Sequence, residues 1–291
     1  MFGITRQAYY QHYWYMEDVE FEHSLLLKEI DKIRADQKRM GGRKLYEKLE
    51  PFMQYHQIKM GRDKFFDLLS MYGLLIRKRK RRVRTTNSFH WFKKYDNLIE
   101  QFEADRQNQL WVSDITYWKV AGKFVYISLI TDAYSRKIVG YQLWETLEAE
   151  GAIRALKKAI SGLLRRPDDC FELIHHSDRG IQYCCKEYTQ LLKQNQIQIS
   201  MTQNGDPREN AIAERVNGIL KEEYLMHYQP KDIQQAIQCL DRAVYLYNNQ
   251  RPHLSIGYHT PEYIHQTGMK THKAWKSYYP AKNTGVKSEQ D

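Results

Sequence analysis

The stretch LWVSDITYWKVAGKFVYISLITDAYSRKIVGYQLW, residues 110–144, decides the fold. Aromatic and branched residues dominate 110–120, 124–131 and 137–144, and short polar turns separate these three runs. Residues of this kind favour strands, and short turns join neighbouring strands in antiparallel fashion. The stretch therefore predicts a three-stranded antiparallel meander.

Helical and strand patterns alternate after this meander. Apolar residues at helical spacing predict helices at 152–163, 186–193, 209–225 and 230–249, and short apolar runs predict strands at 172–176 and 197–201. This order predicts an α/β fold with a mixed sheet, in which three antiparallel strands and two parallel strands are flanked by helices.

The composition limits the class of protein. The chain has 291 residues, of which 42% are hydrophobic, and this share argues against wholesale disorder. Its four cysteines are too few and too irregularly spaced for a disulfide scaffold. No apolar run approaches the roughly 20 residues of a bilayer helix, and residues 1–14 lack the pattern of a secretory signal. We predict a cytosolic protein with no membrane partner and with two domains, or one large domain with an appendage.

All of the excess positive charge lies in the first third of the chain. Residues 1–95 contain 21 Lys and Arg against 11 Asp and Glu, whereas residues 96–291 contain 24 of each class. The densest run comprises Arg77, Lys78, Arg79, Lys80, Arg81, Arg82 and Arg84. Like charges at this density favour a polyphosphate partner, so we predict that the run binds DNA; a solvated linker is the alternative.

Three helical patterns precede the basic run. They are marked by Leu26, Ile30 and Ile33, by Leu45 and Leu49, and by Phe65, Leu68 and Leu69. Three helices and a basic arm are typical of an all-α helix-turn-helix domain, and a generic helical bundle is the alternative. We predict a DNA-binding region at 1–84, a linker at 85–107, a catalytic core at 108–268 and a C-terminal tail at 269–291.

Three acidic residues stand out in the predicted core. Asp114 interrupts the first strand, where an unpaired buried carboxylate is costly, and Asp178 follows a later strand at its carboxyl end, where sheets of this kind place ligand-binding groups. Glu214 lies in the third predicted core helix. By helical spacing it shares one side with Asn210, Asn217 and Lys221, and the opposite side, with Ile212, Val216, Ile219 and Leu220, is predicted to pack on the sheet. Between the acids lie 63 and then 35 residues, which is weak evidence by itself.

Five segments together resemble a known family. They are WVSDITYW around Asp114, TDAYSRKIVGY from Thr131, HHSDRGIQY around Asp178, NGDPRENAIAERVNGILKEE around Glu214 and YNNQRPHLSIGYHTP from Tyr247. Over nearly its whole length the chain resembles the DDE transposases of bacterial insertion sequences, specifically the two-reading-frame insertion-sequence three family, whose core is similar to retroviral integrases. The resemblance implies a ribonuclease-H-like core with Asp114, Asp178 and Glu214 as the catalytic triad. Ile256 departs from the family pattern, which usually has leucine there.

This resemblance implies a chemistry that suits the three acids. Carboxylates are the ligands that Mg²⁺ or Mn²⁺ prefers, and two such ions can serve the attacking and leaving oxygens of a phosphodiester. We therefore expect two Mg²⁺ (or Mn²⁺) ions on the triad, and DNA cleavage and strand transfer by a 3′-hydroxyl at insertion-sequence ends. A ribonuclease-H-like nuclease or resolvase that does not join strands is one alternative, and an inactive DNA-binding remnant is another.

Other residues have lesser predicted roles. Lys221 and Arg251 are expected to contact DNA phosphate, although Arg251 could instead pair with Glu262. The adjacent His175 and His176 point to opposite faces of a strand and cannot share a metal, so we expect His176 to face the site and support the acids. Asn210 is expected to orient Glu214, and simple support of the helix start is the alternative.

The resemblance also implies partners and a location. The partners are double-stranded DNA at the element ends and at the target, the upstream-frame protein or a frameshift fusion with it, and further copies of the chain in a synaptic complex. The expected location is the bacterial cytoplasm, in association with the nucleoid.

Overall fold

The computed structural model describes residues 5–76, 92–100, 102–163, 173–203 and 210–270. The basic run at 77–84 lies outside the described residues, as do parts of the predicted linker and nearly all of the predicted tail. Within the described ranges, no helix is both long and apolar enough to cross a membrane.

A five-stranded mixed sheet organises the chain from residue 110 onward. Its strands are β1 (Leu110–Val120), β2 (Lys123–Asp132), β3 (Ile138–Trp144), β4 (Ile174–Ser177) and β5 (Gln198–Met201). They lie in the order β3-β2-β1-β4-β5, with β1, β2 and β3 antiparallel and with β4 parallel to both β1 and β5. This is the ribonuclease-H-like arrangement, so the predicted fold class is confirmed.

The turn between β1 and β2 fixes the register of the first acid. Ala121 and Gly122 both have positive φ, 45° and 87°, which is the geometry of the two-residue turn that matches the twist of paired strands. Pairing then continues without interruption along the hairpin and places Asp114 opposite Leu129. Asp114 therefore lies near the middle of a central strand.

Helices cover both faces of the sheet. On one face, α4 (Ala149–Ser161), α5 (Ile181–Cys184) and α6 (Lys186–Gln194) form an apolar cluster with Trp111 and Ile130. On the other, α7 (Ala211–Ile219) and α8 (Ile233–Asn249) form a cluster with Ile127 and Leu129. A last helix, α9 (Pro261–Thr267), and the short α5 have no counterpart among the predicted elements.

The helix predicted over 209–225 is not a single α-helix. It is α-helical only through Ile219, continues as a π-helical turn over Leu220–Tyr224 and ends in a 3₁₀ turn over Leu225–His227. A π-helical turn inserts an extra residue into the helical ladder and so rotates the side chains that follow it. Lys221 and Glu223 both lie within this π-helical turn.

The N-terminal region is helical, as predicted. It consists of α1 (Arg6–Asp36), α2 (Gly42–Tyr55) and α3 (Arg62–Met71). Their shared core contains Leu26, Ile30, Leu45, Leu49, Phe65, Leu68 and Leu69. Helix α1 begins much earlier than its apolar pattern indicates, with the Thr5 side chain accepting a hydrogen bond from the Ala8 N–H at 3.2 Å.

Candidate active site

Asp114 is held by two hydrogen bonds on the face of the sheet that α7 covers. The side-chain amide of Asn217 on α7 donates to Asp114 Oδ2 at 2.8 Å, and the Ile115 N–H donates to Asp114 Oδ1 at 2.9 Å. Both bonds favour the carboxylate form and fix its orientation. The position of this acid is therefore set jointly by β1 and α7.

Asp178 follows β4, the strand next to β1. Parallel pairing of Val112 with His176 brings Asp178, directly after β4, beside the part of β1 that carries Asp114. The Gly180 N–H donates to Asp178 Oδ1 at 3.0 Å, and a Cβ added at Gly180 would lie only 2.9 Å from that oxygen. A side chain at position 180 would therefore displace the carboxylate.

Glu214 lies in the first turn of α7, which two asparagines attach to β1. Asn210 Nδ2 donates to the Ser113 carbonyl at 2.9 Å, and Asn217 donates to Asp114 as described. Both asparagines are buried. The apolar side of this helix packs on the sheet as predicted, with Val216, Ile219 and Leu220 in the cluster of Ile127 and Leu129. The two asparagines on the other side also reach β1, which the pattern did not indicate.

The three acids act on one another electrostatically. Burial, then the negative charge of Asp178 and, least, that of Glu214 together raise the pKa of Asp114 to about 7. The hydrogen bonds from Asn217 and Ile115 oppose this shift without cancelling it. Asp178 and Glu214 are therefore near enough to Asp114 to disfavour its ionisation.

The carboxylate and amide oxygens at this site are of the kind that binds a hard divalent cation. The three acids are nevertheless not close enough together to surround one ion. Among the described residues, no three His, Cys, Asp or Glu side chains are close enough together to hold a metal ion. Carboxylates repel one another without a counter-charge. The buried oxygens Asn210 Oδ1 and Asn217 Oδ1 have no hydrogen-bond partner within the described part of the chain. Carboxylate and amide oxygens are ligands that such cations accept.

Lys221 lies beside the acids. Its ammonium is 4.0 Å from the centroid of the Tyr117 ring on β1, and Tyr117 is 45% exposed. Burial lowers the pKa of Lys221, and the charge of Asp114 opposes that shift. The sequence analysis did not single out Tyr117, although an aromatic residue three positions after Asp114 in the same strand was visible.

The two adjacent histidines point to opposite faces of β4. His175 Nε2 lies 2.6 Å from Ser113 Oγ and 2.9 Å from the Tyr188 hydroxyl, and burial lowers the pKa of His175 to about 3. His176 is buried on the face that carries the acids, and its Nδ1 shares a hydrogen bond of 2.8 Å with Ser200 Oγ on β5. This hydrogen bond connects His176 with β5.

Arg251 pairs with an acid and does not have the predicted role of contacting DNA phosphate. Its side chain is 2% exposed, and Nε and Nη2 donate to Glu223 Oε2 and Oε1, both at 2.7 Å. A buried guanidinium held by a carboxylate in this way does not offer itself to phosphate, and the alternative pairing with Glu262 is also wrong. Glu262 pairs with Lys137 instead, at 2.9 Å.

A second cation reaches the same carboxylate from the N-terminal region. Lys44 Nζ on α2 lies 3.0 Å from Glu223 Oε1. Burial, together with the positive charge of Arg251, lowers the pKa of Lys44 to about 8 despite the attraction of Glu223. No sequence pattern indicates this cluster, because its members are far apart along the chain and only folding brings them together.

The strand order places the sheet in the class of integrase-like cores. Two family models described as "Integrase core domain" match residues 104–207 and 195–261. The "Insertion element IS600 uncharacterized 31 kDa protein" of Shigella sonnei is 32% identical over 90% of this chain and 94% of its own length. The "Transposase for insertion sequence element IS629" of Shigella sonnei is 33% identical over 81% of this chain and 77% of its own. The chain belongs to the insertion-sequence three family of transposases.

Solved structures with a similar arrangement come from retroviruses. The HTLV-2 integrase catalytic core domain in complex with magnesium (trimeric form) is 20% identical over 54% of this chain and 96% of its own, with a TM-score of 0.43. In a simian T-cell lymphotropic virus intasome, the matching chain is 17% identical over 86% of this chain and 79% of its own, with a TM-score of 0.49. The fold assignment rests on the strand order rather than on these scores.

Proposed function

We propose that this transposase cleaves DNA strands at the ends of an insertion sequence and joins them to target DNA in a metal-dependent reaction. The observation that carries the proposal is the meeting of three elements that each bear an acid: β1 with Asp114, the end of the adjacent strand β4 with Asp178, and α7 with Glu214, which Asn217 attaches to Asp114. Burial first, and then the charges of Asp178 and Glu214, raise the pKa of Asp114 there. Perturbed carboxylates gathered at one site are typical of catalytic centres. The acids supply the negative charge that divalent cations would neutralise.

The roles of the residues follow from their positions. Asp114, Asp178 and Glu214 would hold two Mg²⁺ or Mn²⁺ ions, and the ions would supply the positive charge that an in-line phosphodiester displacement requires. Asn217 orients the Asp114 carboxylate, and the Gly180 N–H orients that of Asp178. Asn210 fixes the start of the helix that carries Glu214.

The proposed reaction consists of two displacements at phosphorus. In the first, water attacks the phosphodiester at the element end, and the bond to the leaving oxygen breaks to release a 3′-hydroxyl. In the second, that hydroxyl loses its proton, its oxygen forms a new bond to a target phosphorus, and the target strand's own P–O3′ bond breaks. No covalent bond to a protein side chain is needed in either step.

The chain offers two surfaces for DNA. Beside the acids, the Lys221 ammonium over the exposed Tyr117 ring can meet a phosphate while the ring meets a base or sugar. The basic run at 77–84, which lies outside the described residues, is the second candidate DNA-binding segment. Binding of DNA to this run would weaken steeply as the salt concentration rises. The upstream-frame protein and further copies of the chain remain proposed partners in the complex that brings two ends together.

One experiment separates this function from its alternatives. The full chain, with and without the upstream-frame protein, is incubated in Mg²⁺ with a pre-cut element end that has a free 3′-hydroxyl, together with a labelled target duplex. A joined product supports the transferase. Nicked target without joining would indicate a nuclease or resolvase, and metal-independent binding without either product would indicate an inactive DNA-binding protein.

A further inference from the structure

The first half of α1 projects from the N-terminal helices. The helix has 31 residues, which corresponds to about 46 Å at 1.5 Å per residue. Every residue from Arg6 to Asp18 is exposed, and the first buried side chain is that of Leu26. An unpacked helical segment as short as 6–18 is only marginally stable in water by itself. The exposed half therefore needs an explanation.

A line of aromatic side chains runs along this exposed half. Its members recur at spacings of three and four residues, so they lie on one side of the helix. The aromatic members are Tyr9, Tyr10, Tyr13, Trp14 and Phe21, and the charged residues Arg6, Glu17 and Glu20 lie on the same side. We refer to these residues together as the aromatic stripe. The Tyr10 and Trp14 rings lie 6.1 Å apart between centroids, and the Arg6 guanidinium lies 5.8 Å from the centre of the Tyr10 ring.

The aromatic stripe has the chemistry of an interaction surface. Trp14 is 59% exposed and Phe21 64% exposed, and contiguous exposed apolar groups of this size mark binding sites on soluble proteins. Tyrosine and tryptophan bury large areas with little loss of side-chain freedom and are enriched in protein interfaces. The acidic residues at one end of the stripe do not suit nucleic acid.

The charges of the stripe favour one kind of partner. Arg6 lies at its N-terminal end, and Glu17 and Glu20 lie toward its C-terminal end. Two parallel copies would place each glutamate beside its own counterpart, which is repulsive. Two antiparallel copies centred on Tyr13 would place Arg6 of each copy beside Glu20 of the other and would stack the aromatic rings between these pairs.

We propose that the aromatic stripe of α1 pairs antiparallel with the same stripe of a second copy of this chain. The complementarity of Arg6 and Glu20 across a two-fold axis at Tyr13 sets both the occupant and its direction. The pairing is independent of the proposed chemistry, since neither DNA nor metal takes part in it.

Charge reversal tests the proposal. Arg6→Glu places a second carboxylate against Glu20 of the other copy, and Glu20→Arg places a second guanidinium against Arg6, so each variant alone carries two repulsive pairs. In an equimolar mixture of the two variants, a chain of one kind forms two attractive pairs with a chain of the other kind. Sedimentation velocity of the full-length protein over a range of concentrations, without DNA and in EDTA, measures association in each case.

We expect wild-type chains to associate, each variant alone to associate at least tenfold more weakly, and the mixture to regain wild-type association. Lys28→Glu, a charge reversal on the same helix beyond the paired segment, should behave as wild type. If the variants associate as strongly as wild type, or if the mixture is no tighter than its components, the proposal is wrong. A mixture that associates no more tightly than its components would also be expected if the stripe binds a different protein.

Discussion

Arg251 donates two hydrogen bonds of 2.7 Å to the carboxylate of Glu223. Glu223 belongs to the π-helical turn that continues the helix of Glu214, and Lys44 of α2 contacts the same carboxylate. One largely buried acid, with a side chain 18% exposed, therefore connects the N-terminal helices, the helix of the candidate site and the segment after α8. A buried charge held in this way is expensive to leave unpaired.

Replacing Arg251 should destabilise the protein strongly. Arg251→Met leaves Glu223 buried with only Lys44 as a partner, so we expect a loss of about 3–5 kcal/mol in the free energy of unfolding. The matched control is Arg242→Met, which breaks an ion pair of 2.7 Å with Asp36 whose members are about half exposed, 48% and 51%. Exposed pairs contribute about 0–1 kcal/mol. Urea unfolding that shows equal losses for both variants would contradict the structural role of Arg251.

A methyl group at position 180 should impair the reaction more than the fold. In Gly180→Ala the new Cβ meets Asp178 Oδ1 at 2.9 Å and Gln182 Oε1 at 3.1 Å, so the carboxylate must move. Gly180 has a φ of −64°, which alanine adopts readily, so we expect a stability change below about 1 kcal/mol and at least a tenfold loss of strand joining.

The control for this substitution is a second glycine close to the site. A Cβ at Gly218 on α7 has no neighbouring atom within 4 Å, so Gly218→Ala should retain joining activity and gain up to about 1 kcal/mol from helix propensity. Joining rates at saturating DNA and thermal unfolding of both variants provide the comparison. Full activity of Gly180→Ala would show that the position of the Asp178 carboxylate is unimportant.

The raised pKa of Asp114 predicts a pH dependence of stability in the metal-free protein. Its pKa is about 7 in the folded chain against an ordinary value of 3.8. Between these values the folded state binds more protons than the unfolded state, so the free energy of unfolding falls as the pH rises from about 4 to 7. Asparagine does not titrate, so the substitution Asp114→Asn removes this pH dependence. The Asn217 side chain can rotate so that its amide oxygen accepts a hydrogen bond from the new amide.

Asp114→Asn should therefore be more stable than wild type at pH 8 in EDTA, by on the order of 2 kcal/mol, and should lose this advantage near pH 4. Urea titrations of both proteins at the two pH values measure the difference. A constant difference at both values would mean that burial and the neighbouring acids do not raise the pKa of Asp114 as described.

Sequence patterns predicted the sheet well because its determinants are local. The turn at Ala121 and Gly122, the alternating residues of the hairpin and the apolar runs of β4 and β5 each act over a few residues. Two of the acids could be located for the same reason, since Asp114 lies within a predicted strand and Asp178 closely follows another.

Contacts between distant segments could not be predicted in this way. The Glu223–Arg251 pair depends on how the end of α7 packs beside the segment after α8, and the π-helical turn that aims Glu223 has no composition signal. The helical spacing placed Asn217 on the same side as Glu214, but it could not show that this side chain donates a hydrogen bond to Asp114 on β1. The length of α1 was hidden because its first half has no buried face.

The central claim is that three acids serve one reaction, and strand joining by isosteric variants tests it most directly. Single-turnover joining of a pre-cut end to target DNA in Mg²⁺ is measured for Asp114→Asn, Asp178→Asn and Glu214→Gln, with DNA binding measured in parallel. The exposed Glu222→Gln serves as the control on the same helix. We predict that each of the three variants abolishes joining while retaining DNA binding, and that the control joins as wild type; substantial joining by any one of the three would contradict the account.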